Sequence, residues 1–330
     1  MRLAIYILLP LVMIGTGAWL LMLRMPGPTS VRTQPLSERQ MVLRDGLRRD
    51  VQKLAGEIGE RNLVRYEALS AAANYLELGL TEAGYKVERN EFEVATPQGP
   101  RSTSNLIVEL KGNKQPEEIV VVGAHYDSRE GTPGADDNAS GSAAVLSLAR
   151  TFTKSTPGRT LRFVFFTNEE YFRQDLMGSL VYAKLCRARK ENIVAMLSLE
   201  TIGHFSDVAG SQKYPFPINL FYPSTGNFLG FVGNVASRSL VRAAIGSFRT
   251  VATLPSEGVA APEFIEGVGW SDHWSFWQQG YSGIMITDTA PFRNPHYHEA
   301  TDTPDTMNYA RLARAVDEME TVVRVLADGK

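Results

Sequence analysis

Six side chains stand out for their chemistry and for where they fall. His125 follows the apolar run Val120-Val121-Val122 after two small residues. Glu169 and Glu170 follow Phe163 to Phe166 after Thr167-Asn168, and Glu200 closes Met196-Leu197-Ser198-Leu199. Between them lies Asp136-Asp137-Asn138, and near the C-terminus His296-Tyr297-His298 follows Ile284-Met285-Ile286. Each piece alone reads as ordinary surface or turn chemistry, because Asp and Asn bond their own backbone in turns. Gathered at one sheet edge, unpaired carboxylates and imidazoles would cost several kcal/mol in desolvation and repulsion. A divalent cation removes that conflict, and a mixed nitrogen and oxygen donor set suits zinc best, with manganese or cobalt as alternatives.

The elements that would position these groups alternate strand and helix. Helical spacing covers residues 37–58, 66–83, 140–153, 178–189, 227–245 and 310–327. Strand-like runs cover 86–94, 105–110, 118–123, 161–166, 193–199, 218–222 and 282–287. This pattern predicts an α/β fold of three layers, with a mostly parallel central sheet and helices on both faces. In such sheets ligands bind beyond the carboxyl ends of the strands, where the six groups fall.

The order His-x-Asp (125–127), Ala-Asp-Asp-Asn-Ala-Ser-Gly (135–141), Asn-Glu-Glu (168–170), Leu-Glu-Thr-Ile-Gly (199–203), then Tyr-His with Asp-Thr-Pro-Asp (297–305) resembles the co-catalytic di-zinc peptidases of the MH clan. That group includes bacterial leucyl aminopeptidases and glutamate carboxypeptidases, and the resemblance runs from about residue 36 to the C-terminus. It implies a metal set of His125, Asp137, Glu170, Glu200 and His298, with Asp137 bridging and a cis peptide after it. It further implies Glu169 as general base, Asp127 orienting His125, and Asp272 and Tyr297 in supporting positions; His296 is the alternative to His298 as ligand. Asp136 reads as structural.

Two departures carry consequences. Glu200 stands where the family usually has aspartate, which leaves one zinc or two open. The segment Tyr171-Phe172-Arg173-Gln174-Asp175-Leu176 is inserted before Met177-Gly178-Ser179 and is expected at the rim of the site. Trp270, Trp274 and Trp277 read as packing.

The activity implied is metal-dependent hydrolysis of peptide bonds, an aminopeptidase in preference to a carboxypeptidase, with Arg129, Arg173 and Arg293 the arginines nearest the motifs. A glutaminyl cyclase on the same scaffold is disfavoured because cyclases lack the first histidine. A receptor or scaffold relative that has lost its ligands is disfavoured because all six positions are competent.

Composition sets the remaining bounds. The 330 residues are 44% hydrophobic with a formal net charge of −2, so no basic excess exists to bind nucleic acid. The single cysteine, Cys186, can form no internal disulfide and reads as a small buried hydrophobe. Residues 3–23 carry no charge between Arg2 and Arg24. At ~1.5 Å per residue they would span the ~30 Å of a hydrocarbon core. They are read as an uncleaved single-pass anchor over residues 1–24, in preference to a signal peptide, with an extracytoplasmic catalytic domain. Residues 25–36 read as a Pro/Gly/Ser linker and 37–330 as the peptidase domain. The oligomeric state is not specified.

Overall fold

The computed structural model describes residues 15, 17, 22–29, 31–32, 34–97, 99–171, 175–216 and 218–329. In chain order the elements are α1 (Glu38–Val51), α2 (Tyr66–Glu82), β1 (Glu88–Thr96), β2 (Gly99–Leu110), β3 (Gln115–His125), α3 (Gly141–Phe152), β4 (Arg159–Phe166), α4 (Gly178–Ala188), β5 (Asn192–Glu200), β6 (Leu229–Asn234), α5 (Arg238–Arg249), β7 (Ser256–Ala261), α6 (His273–Trp277), β8 (Gly283–Thr287) and α7 (Tyr309–Asp328). Ser37 starts α1 with a reciprocal capping box to Gln40, satisfying two backbone donors at once.

The eight strands form one mixed sheet in the order β1-β2-β4-β3-β5-β8-β6-β7. Its centre, β4-β3-β5-β8, is parallel, whereas β1-β2, β2-β4 and β8-β6 pair antiparallel. Alternate residues of the central strands feed opposite cores. Val120, Val122, Phe163 and Phe165 pack on one side, and Ile119, Val121, Val164 and Phe166 on the other. Burial on both faces explains why these strands read as unbroken apolar runs. Truncating a ring such as Phe163, fully buried, would cost about 3–5 kcal/mol.

Three expectations fail between residues 218 and 261. Residues Ile218–Leu220 form a single 3-10 turn, not a strand. The helix expected over 227–245 divides into β6 and α5, and β7 was not foreseen. Glycines in Leu-Gly-Phe-Val-Gly-Asn and Ser-Glu-Gly-Val-Ala-Ala remove the β-branched signal from both strands.

The predicted anchor falls almost wholly outside the described residues; among those described, no helix is long and apolar enough to cross a membrane. The start of the predicted linker is not a free spacer. Arg249 donates to Pro26 O at 2.9 Å, and Met25 packs against the main core. Cys186 is buried and unpaired.

Candidate metal centre

The site is assembled from strand ends. β3 ends on His125 and β5 on Glu200, and the register Gly123↔Ser198 continued by two residues sets these side chains in one row. Asp137 comes from the loop entering α3, and the peptide that follows it is cis. Glu169 and Glu170 lie in the turn after β4, where Asn168 has positive φ, so that adjacent side chains both serve the site. His298, also at positive φ, arrives from the loop before α7.

Two groups of possible metal ligands result, His125-Asp137-Glu200 and Asp137-Glu170-His298, the donor atoms of each lying within 4.8 Å of one another. Asp137 belongs to both. One of its oxygens is 3.3 Å from His125 Nε2 and the other 3.0 Å from His298 Nε2. Glu200 reaches to 3.3 Å from His125 Nε2, and Glu170 to 3.4 Å from His298 Nε2. Glu169 stands 4.0 Å from His125 Nε2 and belongs to neither group. His296 bonds Thr301 Oγ1 at 2.9 Å and is also in neither.

Asp127 ties the two halves together. It approaches His125 Nδ1 at 3.4 Å and accepts from the Glu169 and Glu170 amides at 3.2 and 3.3 Å. Tyr297 stacks on His298 with ring centres 3.8 Å apart. Asp272 is buried beside the group, and among the described residues neither of its oxygens has a hydrogen-bond partner. Asp136 is structural: its two oxygens accept from Gly203 N at 2.9 Å and Asn294 Nδ2 at 2.7 Å.

Four supporting residues were not foreseen. Asp302, within the Asp-Thr-Pro-Asp motif, accepts from the amides of Asp136 and Asp137 at 2.9 and 3.1 Å. Ser271 donates to Glu200 at 2.8 Å. Asn138 holds Leu199 O at 2.9 Å and the Thr201 and Gly141 amides at 3.1 and 3.0 Å. Arg61, fully buried, donates to the carbonyls of Tyr126, Gly59, Pro133 and Gly134, which fixes the loops around His125 and Asp137.

The electrostatics show why a cation fits. Burial, together with Glu200, Asp272 and Glu170, pushes the Glu169 carboxyl well above its usual range against the pull of His125. Burial and Asp137 do the same to Glu170, and burial raises Glu200. Burial pushes Asp272 up to about 7. Burial alone would lower His125, but Glu200, Asp127 and Asp137 outweigh it and raise it well above the ordinary imidazole value. Among the described residues, His125 Nε2 and one Glu170 oxygen are buried without a hydrogen-bond partner. Excess buried acid with orphaned donor atoms is the condition a divalent metal relieves, and N/O donors with no thiolate suit zinc.

An apolar trough of about 100 Å³ opens beside the centre. It starts at Glu200, Thr201 and Tyr297 and runs past Met285, Val232 and Val259. Trp270 stacks on Phe292 and also lines the trough. Trp277 is packing, with Nε1 on Gly283 O. In the inserted segment, Phe172 to Gln174 lie outside the described residues.

The profile of peptidase family M28 matches residues 105–323. The Escherichia coli (strain K12) protein YfbL is 33% identical over 288 residues, covering 84% of this chain and 86% of that one. A probable zinc metalloprotease of Pyricularia oryzae is 29% identical over 247 residues, 66% of this chain, which spans about half (47%) of that longer protein. Among solved structures, a zinc aminopeptidase from Bacillus subtilis superposes with a TM-score of 0.70 at 15% identity, covering 87% of this chain and 96% of that one. A glutaminyl cyclase from Fimbriiglobus ruber superposes at 0.62 with 19% identity, covering 92% and 99%. The two superpositions establish a shared fold and leave the reaction open. The profile match goes further, and the Pyricularia oryzae relative agrees with it: this chain belongs to peptidase family M28, in the MH clan of co-catalytic zinc peptidases, and is a zinc metallopeptidase.

Proposed function

We propose that the protein is an aminopeptidase carrying two zinc ions that share Asp137. The observation that carries this reading is the division of one carboxylate between two ligand groups, an oxygen toward His125 and an oxygen toward His298. In this reading His125 and Glu200 hold one ion, Glu170 and His298 the other. Zinc held there would lower the pKa of a bound water toward neutrality and polarise the scissile carbonyl. Glu169 takes the proton of the attacking water and delivers it to the leaving amine.

The amino end of the substrate is favoured by the trough. Its lining includes Glu257 and Glu266 and, among the described residues, no arginine or lysine that could clamp a terminal carboxylate. Arg293 is buried and committed to Gln212 and Phe228 O. The test is Glu169→Gln, which should keep its zinc and lose roughly 10²–10⁴-fold in hydrolysis of aminoacyl anilides. Near-normal turnover by that variant would remove Glu169 from the mechanism. Conversion of an N-terminal glutaminyl peptide to its cyclic product, without hydrolysis, would reassign the chain to cyclase chemistry.

We further propose that residues 1–24 anchor the chain in a membrane, with the catalytic domain extracytoplasmic. Leu23, Ile218, Tyr222 and Ile265 all pack against the cluster of Val259, Ala261, Val268 and Trp277, while Phe216, Leu220, Phe221 and Phe264 are exposed. This apolar end would lie next to the bilayer. Alkaline washing of membranes and protease protection of spheroplasts test it; release into the soluble fraction would contradict it.

A further inference from the structure

One row of the sheet extends from the metal centre to a carboxylate that the mechanism does not use. Glu200 pairs with Thr287, Thr287 with Gly230, and Gly230 with Glu257. Directly paired residues point to the same face. Three strand spacings separate Glu200 from Glu257, about 14 Å. Two residues further in, the parallel row Met285, Val232, Val259 forms an apolar floor. Gly230 keeps the middle of the upper row open, since a Cβ there would come within 3.2 Å of Thr287 O and 3.4 Å of the Thr289 methyl. The result is an apolar trough with an acid at its far end.

Glu257 is only partly covered, its side chain 20% exposed, and among the described residues its carboxylate accepts no hydrogen bond. The nearest cation is Arg249, at 3.9 Å. That guanidinium is directed elsewhere: it donates to Ser256 Oγ at 3.0 Å, Ser256 O at 2.5 Å and Pro26 O at 2.9 Å. A second carboxylate, Glu266, lines the same trough, so the acids outnumber the cation. The rings of Tyr214 and Tyr222, 5.9 Å apart, line the Glu257 end. Their hydroxyls are engaged with Pro223 O and Gly258 O, which leaves aromatic surface to the trough. An apolar floor, aromatic walls and a partly exposed terminal acid, met by Arg249 only at 3.9 Å, suit a long aliphatic stem that ends in a positive charge.

We propose that Glu257 selects peptides whose N-terminal residue is lysine or arginine, the stem lying on Met285, Val232 and Val259 and the cation meeting Glu257. The inference rests on the aminopeptidase reading above. The test uses zinc-loaded full-length protein, wild type and Glu257→Gln, with Lys-, Arg-, Met- and Leu-anilides. Zinc content is measured for both proteins. The wild type should favour Lys and Arg over Leu, and the Lys/Leu ratio of kcat/KM should fall roughly 10- to 100-fold in the variant, the loss expected for a charged hydrogen bond. If Leu-anilide is cleaved but the ratio is unchanged by Glu257→Gln, the assignment of Glu257 fails while the aminopeptidase reading stands. If neither protein cleaves any anilide with zinc bound, both readings fall together.

Discussion

Replacing Glu200 by aspartate restores the residue usual in the wider clan, yet here it should weaken the site. One Glu200 oxygen lies 3.3 Å from His125 Nε2 and accepts from Ser271 Oγ at 2.8 Å. Losing one methylene withdraws the carboxylate by about 1.5 Å, one carbon–carbon bond. Zinc–oxygen bonds are ~2.0–2.2 Å and cannot stretch to cover that gap. An ion held by His125, Asp137 and Glu200 would be left with two protein donors, and the Ser271 bond would be broken. Mutating even an outer partner of a ligand typically costs 10–100-fold in metal affinity. Removing the ligand itself should cost at least as much, about 1.4–2.7 kcal/mol. The assay is stepwise zinc removal by a competing chelator, with metal content read by plasma mass spectrometry. Glu200→Asp should lose one zinc at a chelator concentration that leaves wild type with two, and added zinc should restore activity. Two zincs retained at wild-type affinity would refute the claim that the longer side chain is matched to this backbone.

Two further perturbations test the scaffold. Arg61→Met leaves four carbonyls, those of Tyr126 and Gly134 buried and those of Gly59 and Pro133 half-buried, without their donor and should cost about 3–5 kcal/mol. A melting temperature lower by roughly 10 °C is the corresponding shift, and an unchanged melt would show that the loops hold themselves. His273 is fully buried with Nε2 on Val268 O, and burial lowers it to about 4. The unfolded chain then binds a proton that the folded chain refuses between about pH 6.5 and pH 4, so stability from this group is lost as pH falls. Denaturant unfolding should show roughly 2 kcal/mol lost to His273 between pH 7 and pH 5, absent in His273→Gln. Equal pH slopes in the two proteins would contradict it.

What could be read from the chain follows from where the physics is local. The strands leading to His125, Glu170 and Glu200 are covered on both faces, so each is an apolar run that ends visibly at a polar residue. The metal-side residues were therefore recognisable by position as well as by motif. β6 and β7 were not, because glycine and alanine replace the β-branched residues that mark a strand, leaving the trough and Glu257 invisible. Arg61 could not have been found either, since its four acceptors come from Gly59, Tyr126, Pro133 and Gly134. Ser271 was equally out of reach, because its role depends on a strand end 71 residues away. Asp302 was within reach, as it sits in a motif already singled out.

The central claim is that Asp137 is shared by two ions. Anomalous diffraction at the zinc edge from crystals of the zinc-loaded protein tests it most directly. The account predicts two peaks flanking the Asp137 carboxylate, one beside His125 and Glu200 and the other beside Glu170 and His298. A single peak at full zinc loading, or peaks that leave Asp137 uncoordinated, would contradict it.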